Sequence, residues 1–265
     1  VDQTGAYDQY AFVAEFYDHV VPYRQRQDVA FFVDMAHHTI PPVLEVGCGT
    51  GRVLLPTART GIEVTGLDLS SAMLAMCRQK LAHEPRDVQA RVQLVHEDMR
   101  QFDLGRSFGL VTVPFRAFLH LLTVAEQLAC LRSIHRHLTS EGRLILDVFN
   151  PSLARLVDPR YLAEHGEEPA FTMPDGRTVI RRHRVVAYDL YHQVMDGEFL
   201  YDVTHPDGRQ ERLVHRFQLR YLFRFEAEHL LARTGFQVET VYADYNKSPY
   251  GSTYPGELIM VARPA

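Results

Sequence analysis

Residues 43–53 read VLEVGCGTGRV, an apolar run that breaks into a turn with glycine at 47, 49 and 51. In an open α/β sheet, a strand that passes through such a turn into a helix marks a ligand crevice. A dinucleotide pyrophosphate needs G-x-G-x-x-G, whose third glycine lets the helix pack closely. Here that position holds Arg52. Glu45, two residues before the first glycine, adds negative charge where a phosphate prefers a helix N-terminus without competing anions. Either Glu45 is a strand-end charge that points away, or the turn receives an ammonium or sulfonium rather than two phosphates.

Outward from this turn, strands and amphipathic helices alternate. The pattern predicts strand 43–47, helix 51–60, strand 62–67, helix 71–82, strands 92–95 and 108–113, helix 124–138 and strand 143–149. Thr123 and Glu126 form a capping box for the long helix. Before the turn, Phe12, Phe16 and Val20 recur at helical spacing, and a second helix covers 26–38 until Pro41-Pro42 stops it. After Asn150-Pro151 the rhythm changes. Asp175-Gly176, Asp196-Gly197 and Asp207-Gly208 sit among period-2 segments and read as hairpin turns of an antiparallel β insertion. Helix 226–234, closed by Gly235, and strands 236–242 and 257–263 complete the chain. The fold class is α/β: a Rossmann-like, seven-stranded, mostly parallel sheet with an antiparallel last strand, N-terminal helices and a β insertion. The expected units are an N-terminal helical lid (1–40), a core (41–150), the β insertion (151–225), and a last helix and strands that complete the core (226–265).

Two further acids define the ligand. Asp68 in VTGLDLS ends the second strand, where a carboxylate accepts both hydroxyls of a ribose. Asp98 in HEDMRQFDL follows the third strand, placed to accept from an adenine amino group. Three acids at successive strand ends, with no phosphate-binding lysine, describe a pocket for a nucleoside with a cationic tail. S-adenosylmethionine (SAM) is such a molecule.

With these segments in register, the chain resembles the class I SAM-dependent methyltransferases. VLEVGCGTGRV is similar to their first motif, GLDLS to their ribose acid and EDMRQFDL to their adenine-proximal segment, while FGLVTVPF and HLTSEGRLILDVFNP follow in the family's order. The resemblance covers residues 40–150 and the last two strands. It is nearer still to bacterial small-molecule methyltransferases, including sugar N,N-dimethyltransferases, through the YD helix in EFYDHV, the EDMR segment and the β insertion. It implies SAM as cofactor, with S-adenosylhomocysteine (SAH) as product. It implies a cofactor site built from Tyr17, Arg24, Glu45, Gly47, Cys48, Gly49, Gly51, Asp68, Leu69, Met73, Asp98, Met99, Pro114 and Phe115. In that group a histidine near the end of the fourth strand positions the acceptor amine, and His120 in PFRAFLHL stands at the matching point. Arg116 and Phe118 depart from the small residues usual there, so the acceptor can differ. Arg116, Tyr245 and Tyr254 are the candidate substrate contacts, since a tyrosine-rich loop can wall a pocket or cover a subunit interface.

Each of these residues also has a plainer role. Cys48 fits as a small turn residue, His120 as a ring satisfied by local backbone, and Arg24 and Arg26 as solvated helix charges. Arg212, Arg216, Arg220 and Arg224 share one face of a strand, with Leu213, Phe217, Leu219, Tyr221, Phe223 and Phe225 on a buried face. That stripe is a set of arginines paired with acids such as Asp202 and Glu198, or else a wall for an anionic substrate. The rival functions are a non-catalytic SAM-binding protein that uses the insertion for partner contacts and a nicotinamide-dependent reductase.

Composition narrows the partners. At 265 residues the chain can bury a full core, and a net charge of -5 argues against phosphate-driven nucleic-acid binding. No run approaches the ~20 apolar residues of a membrane span, and VDQTGAYDQY lacks the pattern of a secretory signal. Three widely spaced cysteines suggest neither disulfides nor zinc and point to a reducing cytoplasm. The fourteen histidines form no H-x-x-x-H pair on a helix, so no metal site is expected; only Asp147 and Asn150 leave a divalent ion open. The expected partner is a small-molecule acceptor, with no nucleic acid and no membrane, and with room for a homodimer through the β insertion.

Overall fold

The computed structural model describes residues 9–265. Three helices come first, α1 (Ala11–Tyr17), α2 (Val21–Arg24) and α3 (Asp28–His37). The core follows as β1 (Val43–Val46), α4 (Leu54–Arg59), β2 (Val64–Asp68), α5 (Ser71–Ala82), α6 (Arg86–Gln89), β3 (Val92–His96) and β4 (Phe108–Val113). A 3-10 turn (Ala117–His120), α7 (Val124–His137), β5 (Leu138–Phe149) and α8 (Leu153–Val157) come next. The insertion contributes β6 (Phe171–Thr172), β7 (Thr178–Asp189), β8 (Val194–Thr204) and β9 (Gln210–Arg220), and α9 (Arg224–Arg233), β10 (Phe236–Tyr242) and β11 (Glu257–Pro264) close the chain.

The main sheet has the order β10-β11-β5-β4-β1-β2-β3. All pairs from β5 to β3 are parallel, while β11 runs antiparallel to both β5 and β10. Strands β1 and β4 are buried at every residue, as a sheet covered on both faces requires. Because β1 is flanked by β2 on one side and β4 on the other, the chain's connections diverge there. That divergence opens a crevice at the carboxyl ends of the strands. The capping box at Thr123 forms as expected, with Thr123 and Glu126 each bonding the other's backbone N–H.

The insertion is a four-stranded antiparallel sheet, β6-β7-β8-β9, whose inner face packs on Phe16 and Val20 of the N-terminal segment. Asp175-Gly176 and Asp207-Gly208 lie at its turns, but Asp196-Gly197 does not. Both residues pair within β8, and the chain instead reverses at 190–193, with Gln193 at φ +58°. Gly197 serves a packing purpose: a Cβ there would stand 2.5 Å from the Phe217 ring. Two other expectations fail at the end of β9. Arg224 begins a helix rather than continuing the strand, and Phe225 is exposed rather than buried. Strand β9 ends at Arg220 and α9 begins at Arg224, which ends the alternation on which both rested.

Candidate active site

The glycine turn forms where β1 gives way to α4. The amides of Gly47 and Cys48 both donate to the Leu67 carbonyl, at 2.7 and 3.0 Å, which ties the turn to the end of β2. Gly47 has φ +75°, and a Cβ there would meet Ala117 Cβ at 2.7 Å, so the turn passes a neighbour that no side chain would allow. Asp68 finishes the arrangement. One carboxylate oxygen accepts the Gly49 N–H at 2.7 Å and the other accepts the Ser70 N–H at 2.8 Å. Ser70 in turn caps α5 by accepting the Met73 N–H. The acid at the strand end thus holds both the turn and the next helix start.

A cavity of about 590 Å³ opens above this turn. Its floor is Gly47, Gly49, Asp68, Leu69 and Met73, and its next wall is Asp98 and Met99 with Arg100. Pro114, Phe115, Ala117 and His120 form the side beyond β4, and Tyr10 and Tyr17 close it from the N-terminal segment. The far end is supplied by the insertion, through residues 196–198 of β8 and 216–218 of β9. The structure therefore brings Tyr17, Gly47, Gly49, Asp68, Leu69, Met73, Asp98, Met99, Pro114, Phe115 and His120 around one space.

Seven other expected residues are not on that wall. Glu45 is buried in β1, paired in register with Gly66 and Thr112, and burial pushes its carboxyl up to about 8 despite the nearby Arg52. Cys48 is buried, and burial, with Asp68 and Glu45 nearby, raises its thiol well above the ordinary range, which removes it as a nucleophile. Gly51 faces Cys77 beneath the turn. Arg24 is exposed, and Arg26 is the arginine that turns inward. Arg116 points away from the cavity, its guanidinium on the Glu257 carboxylate at 3.3 Å and over the Phe149 ring. The Tyr245 hydroxyl donates to Asp147 at 3.0 Å. Tyr254 is 65% exposed, its hydroxyl on the Pro151 carbonyl at 3.3 Å.

Asp98 already has a partner. Burial disfavours its charge, but Arg100 overrules this with bonds of 2.8 and 3.0 Å and holds the carboxyl below its usual range. Arg100 also reaches Glu126 at 2.8 Å. The described cavity wall thus carries four carboxylates (Asp68, Asp98, Asp196 and Glu198) against Arg100 and Arg216, and both arginines are held by acids. Such a lining favours a cation over an anion.

His120 ends the 3-10 turn, with its ring between the glycine turn and the insertion. It hydrogen-bonds the backbone of Gln218 in β9, and burial lowers its pKa to about 4. The ring is therefore neutral near pH 7, and its tautomer is fixed by the Gln218 contact. His215 lies close by, lowered to about 3 by burial and by His120 and Arg181. His215, which no sequence motif singles out, shares its face of β9 with the half-buried Leu213 and Phe217 by strand alternation. The arginine stripe is paired across strands, Arg212 with Asp202 and Arg216 with Glu198. Among the described residues no three His, Cys, Asp or Glu side chains gather to hold a metal ion.

Residues 43–142 match the family model described as a methyltransferase domain. A dTDP-3-amino-3,6-dideoxy-alpha-D-glucopyranose N,N-dimethyltransferase from Streptomyces fradiae is 29% identical over 241 residues, covering 86% of this chain and 84% of the relative. A dTDP-3-amino-3,4,6-trideoxy-alpha-D-glucopyranose N,N-dimethyltransferase from Streptomyces venezuelae is 27% identical over 86% of this chain and 87% of its own length. Among solved structures, a SAM-bound amino pentose methyltransferase from Micromonospora echinaspora, involved in calicheamicin biosynthesis, superposes with a TM-score of 0.67 at 28% identity. That match covers 97% of this chain and 96% of the other.

Proposed function

This chain is a class I SAM-dependent methyltransferase, and from that premise we propose that it methylates the amino group of a small sugar-like acceptor. The observation that carries the reading is one continuous cavity that runs from the Asp68 floor past His120 to the insertion. The cofactor fits the residues present. Asp68 stands where a ribose needs an acceptor, no atom lies within 4 Å of the space a Gly49 Cβ would fill, and the acidic lining suits a sulfonium. Asp68 would hold the ribose, Asp98 and Met99 the adenine, and Tyr17 and Phe115 the methionine end. When bound, SAM supplies a methyl group as an electrophile on a sulfonium that leaves with the bonding pair as a neutral sulfide.

The chain's own residues bind, aim and exclude water. His120 hydrogen-bonds the backbone of Gln218, and we place its neutral ring, on the cavity wall, as the group that accepts an N–H from the acceptor. That bond turns the amine lone pair toward the methyl group. With a pKa of about 4 His120 is too weak a base to deprotonate an alkylammonium near neutrality, so it orients an amine that arrives unprotonated. The rate should rise with pH until the acceptor's own amine is deprotonated. His120→Ala should lower kcat by about 10–100-fold while SAH affinity stays within about threefold. Steady-state kinetics with methyl 3-amino-3,6-dideoxyglucopyranoside, together with calorimetry against SAH and NADH, test this. Unchanged turnover in the variant removes His120 from the mechanism, and binding of NADH without SAH removes the assignment.

We also propose that the N-terminal segment, expected over 1–40 and described from residue 9 with 1–8 outside the described residues, acts as the lid over the cofactor, a reading supported by Tyr10 and Tyr17 on the cavity wall. A homodimer through the insertion is supported by its exposed apolar side chains, Val186, Leu190 and Tyr191. Sedimentation would show a monomer if that is wrong. No helix of the described residues is long and apolar enough to cross a membrane, and three unpaired buried cysteines fit a cytoplasmic setting.

A further inference from the structure

Behind the cavity, side chains from four separate parts of the chain converge on one turn, Phe115-Arg116, which joins β4 to the 3-10 turn of His120. Both residues have positive φ, +55° and +67°. This left-handed region costs a residue with a side chain about 1–3 kcal/mol and persists only where the surroundings enforce it. The enforcement comes from Asp147 of β5, which is completely buried. Its side chain accepts the Phe115 N–H at 3.0 Å and its main-chain carbonyl accepts the Arg116 N–H at 3.1 Å. The Tyr245 hydroxyl donates to both carboxylate oxygens, at 3.0 and 3.1 Å. Arg26 completes the cluster. It donates to the Tyr245 hydroxyl and, at 3.0 Å, to Glu257, and its guanidinium lies 5.1 Å from the Phe115 ring centre and 5.0 Å from that of Tyr245. None of Arg26, Asp147, Tyr245 or Glu257 lines the cavity, whereas Pro114, Phe115, Ala117 and His120 on either side of the turn do.

Resting on the methyl-transfer reading of the cavity, we infer that Asp147 is a positioning residue. By fixing the Phe115-Arg116 turn it aims His120 at the acceptor, and through Tyr245 and Arg26 it ties that aim to the docking of the N-terminal helices. Asp147 touches neither ligand and acts only through the turn. The arrangement separates two roles that a purely architectural bond would not separate. Losing it should misdirect His120 while leaving Asp68 and the glycine turn able to bind cofactor.

The test compares Asp147→Ala, Asp147→Asn and Tyr245→Phe in the full chain, with methyl 3-amino-3,6-dideoxyglucopyranoside as acceptor. Asp147→Ala should lower kcat about 100-fold, with the acceptor KM and SAH affinity within about threefold and one SAH bound per chain. Asp147→Asn keeps an oxygen for the Phe115 N–H and should recover at least about tenfold of that loss. Tyr245→Phe should lower kcat about 5–10-fold. A kcat for Asp147→Ala within twofold of the parent overturns the inference. So does a loss of turnover matched by an equal loss of SAH stoichiometry and not rescued by Asn. Should Asp147→Ala not fold, Tyr245→Phe decides, and unchanged turnover overturns the idea. If the glycoside is no substrate for the parent, the functional reading fails, yet the inference can still be read. The His120 ring-proton NMR shift in the SAH complex should then move in Asp147→Asn and Tyr245→Phe but not in Arg212→Gln, and an unmoved shift overturns it.

Discussion

The two sheets of this molecule keep their carboxylates in opposite electrostatic states. In the seven-stranded sheet, Glu45 and Asp147 are buried, and burial is the largest influence on each, raising them to about 8 and about 6. In the insertion, Glu198 is only 4% exposed, and burial works against its charge as well. There, however, Arg184 and Arg216 hydrogen-bond it at 2.8 and 2.9 Å and bring its carboxyl below the usual range. The difference lies in how the partners are supplied. Antiparallel neighbours place an arginine opposite an acid on the same face, so β8 and β9 pair Glu198 with Arg216 and Asp202 with Arg212 by register alone. In the main sheet the register partners are not basic: Glu45 faces Gly66 and Thr112, and Asp147 faces Ile259 on the antiparallel neighbour β11. The core acids are therefore left desolvated with no cation opposite them in the sheet.

The comparison breaks most visibly at Glu45. Its folded pKa of about 8 lies above the ordinary value of 4.5, so the folded chain holds a proton that the unfolded chain has released between those two values. Stability from this group is complete below pH 4.5 and is lost as pH rises toward 8. Glu45→Gln imitates the protonated form and removes the loss. Denaturant melts should show the difference between parent and variant shifting in the variant's favour by on the order of 5 kcal/mol between pH 4 and pH 9. A difference that stays constant with pH would mean that Arg52 keeps Glu45 ionised, which would make the core acid like those of the insertion.

The next effect is on binding. Asp68 accepts two backbone amides and stands on the cavity floor, so Asp68→Ala frees the glycine turn and removes the strand-end carboxylate together. SAH affinity measured by calorimetry should fall about 100-fold, or about 3 kcal/mol. Affinity within threefold of the parent would deny this strand end its place in the cofactor site.

Legibility in the sequence followed the same division. The placing of Gly47, Gly49, Asp68, Asp98 and His120 around one cavity is legible because local spacing decides it: each lies at a strand end or a few residues beyond one. The seven strands and the capping box at Thr123 were readable for the same reason. Misplaced residues were those whose direction depends on a distant partner. Arg116 and Tyr245 were expected on the acceptor, but Glu257 and Asp147 draw them behind the wall from about 100 residues or more away in the chain. Arg24 and Arg26 differ by two positions near the end of a short helix, and only the depth of Glu257 and Tyr245 selects Arg26. Asp196-Gly197 carried the composition of a turn, yet its glycine answers to the Phe217 ring on the neighbouring strand. No local pattern announces a cross-strand contact of that kind.

The smallest effect is expected in the arginine stripe. Arg212 bonds Asp202 at 2.6 Å and Glu164 at 2.9 Å, but it is about half exposed, and Asp202 keeps Arg182 as a second partner when Arg212 is lost. Water screens such a pair, and holding two long side chains together offsets part of the gain. Arg212→Gln should therefore cost less than about 1 kcal/mol, a melting shift of about 2–4 °C at most. It should leave kcat and SAH affinity unchanged, because Arg212 does not line the cavity. Raising the salt concentration should shrink the difference further, since an exposed pair is screened over ~8–10 Å. A loss several times larger, insensitive to salt, would show that Arg212 and its acids act as one desolvated network. The contrast between the sheets would then be one of pairing alone and not of solvent access.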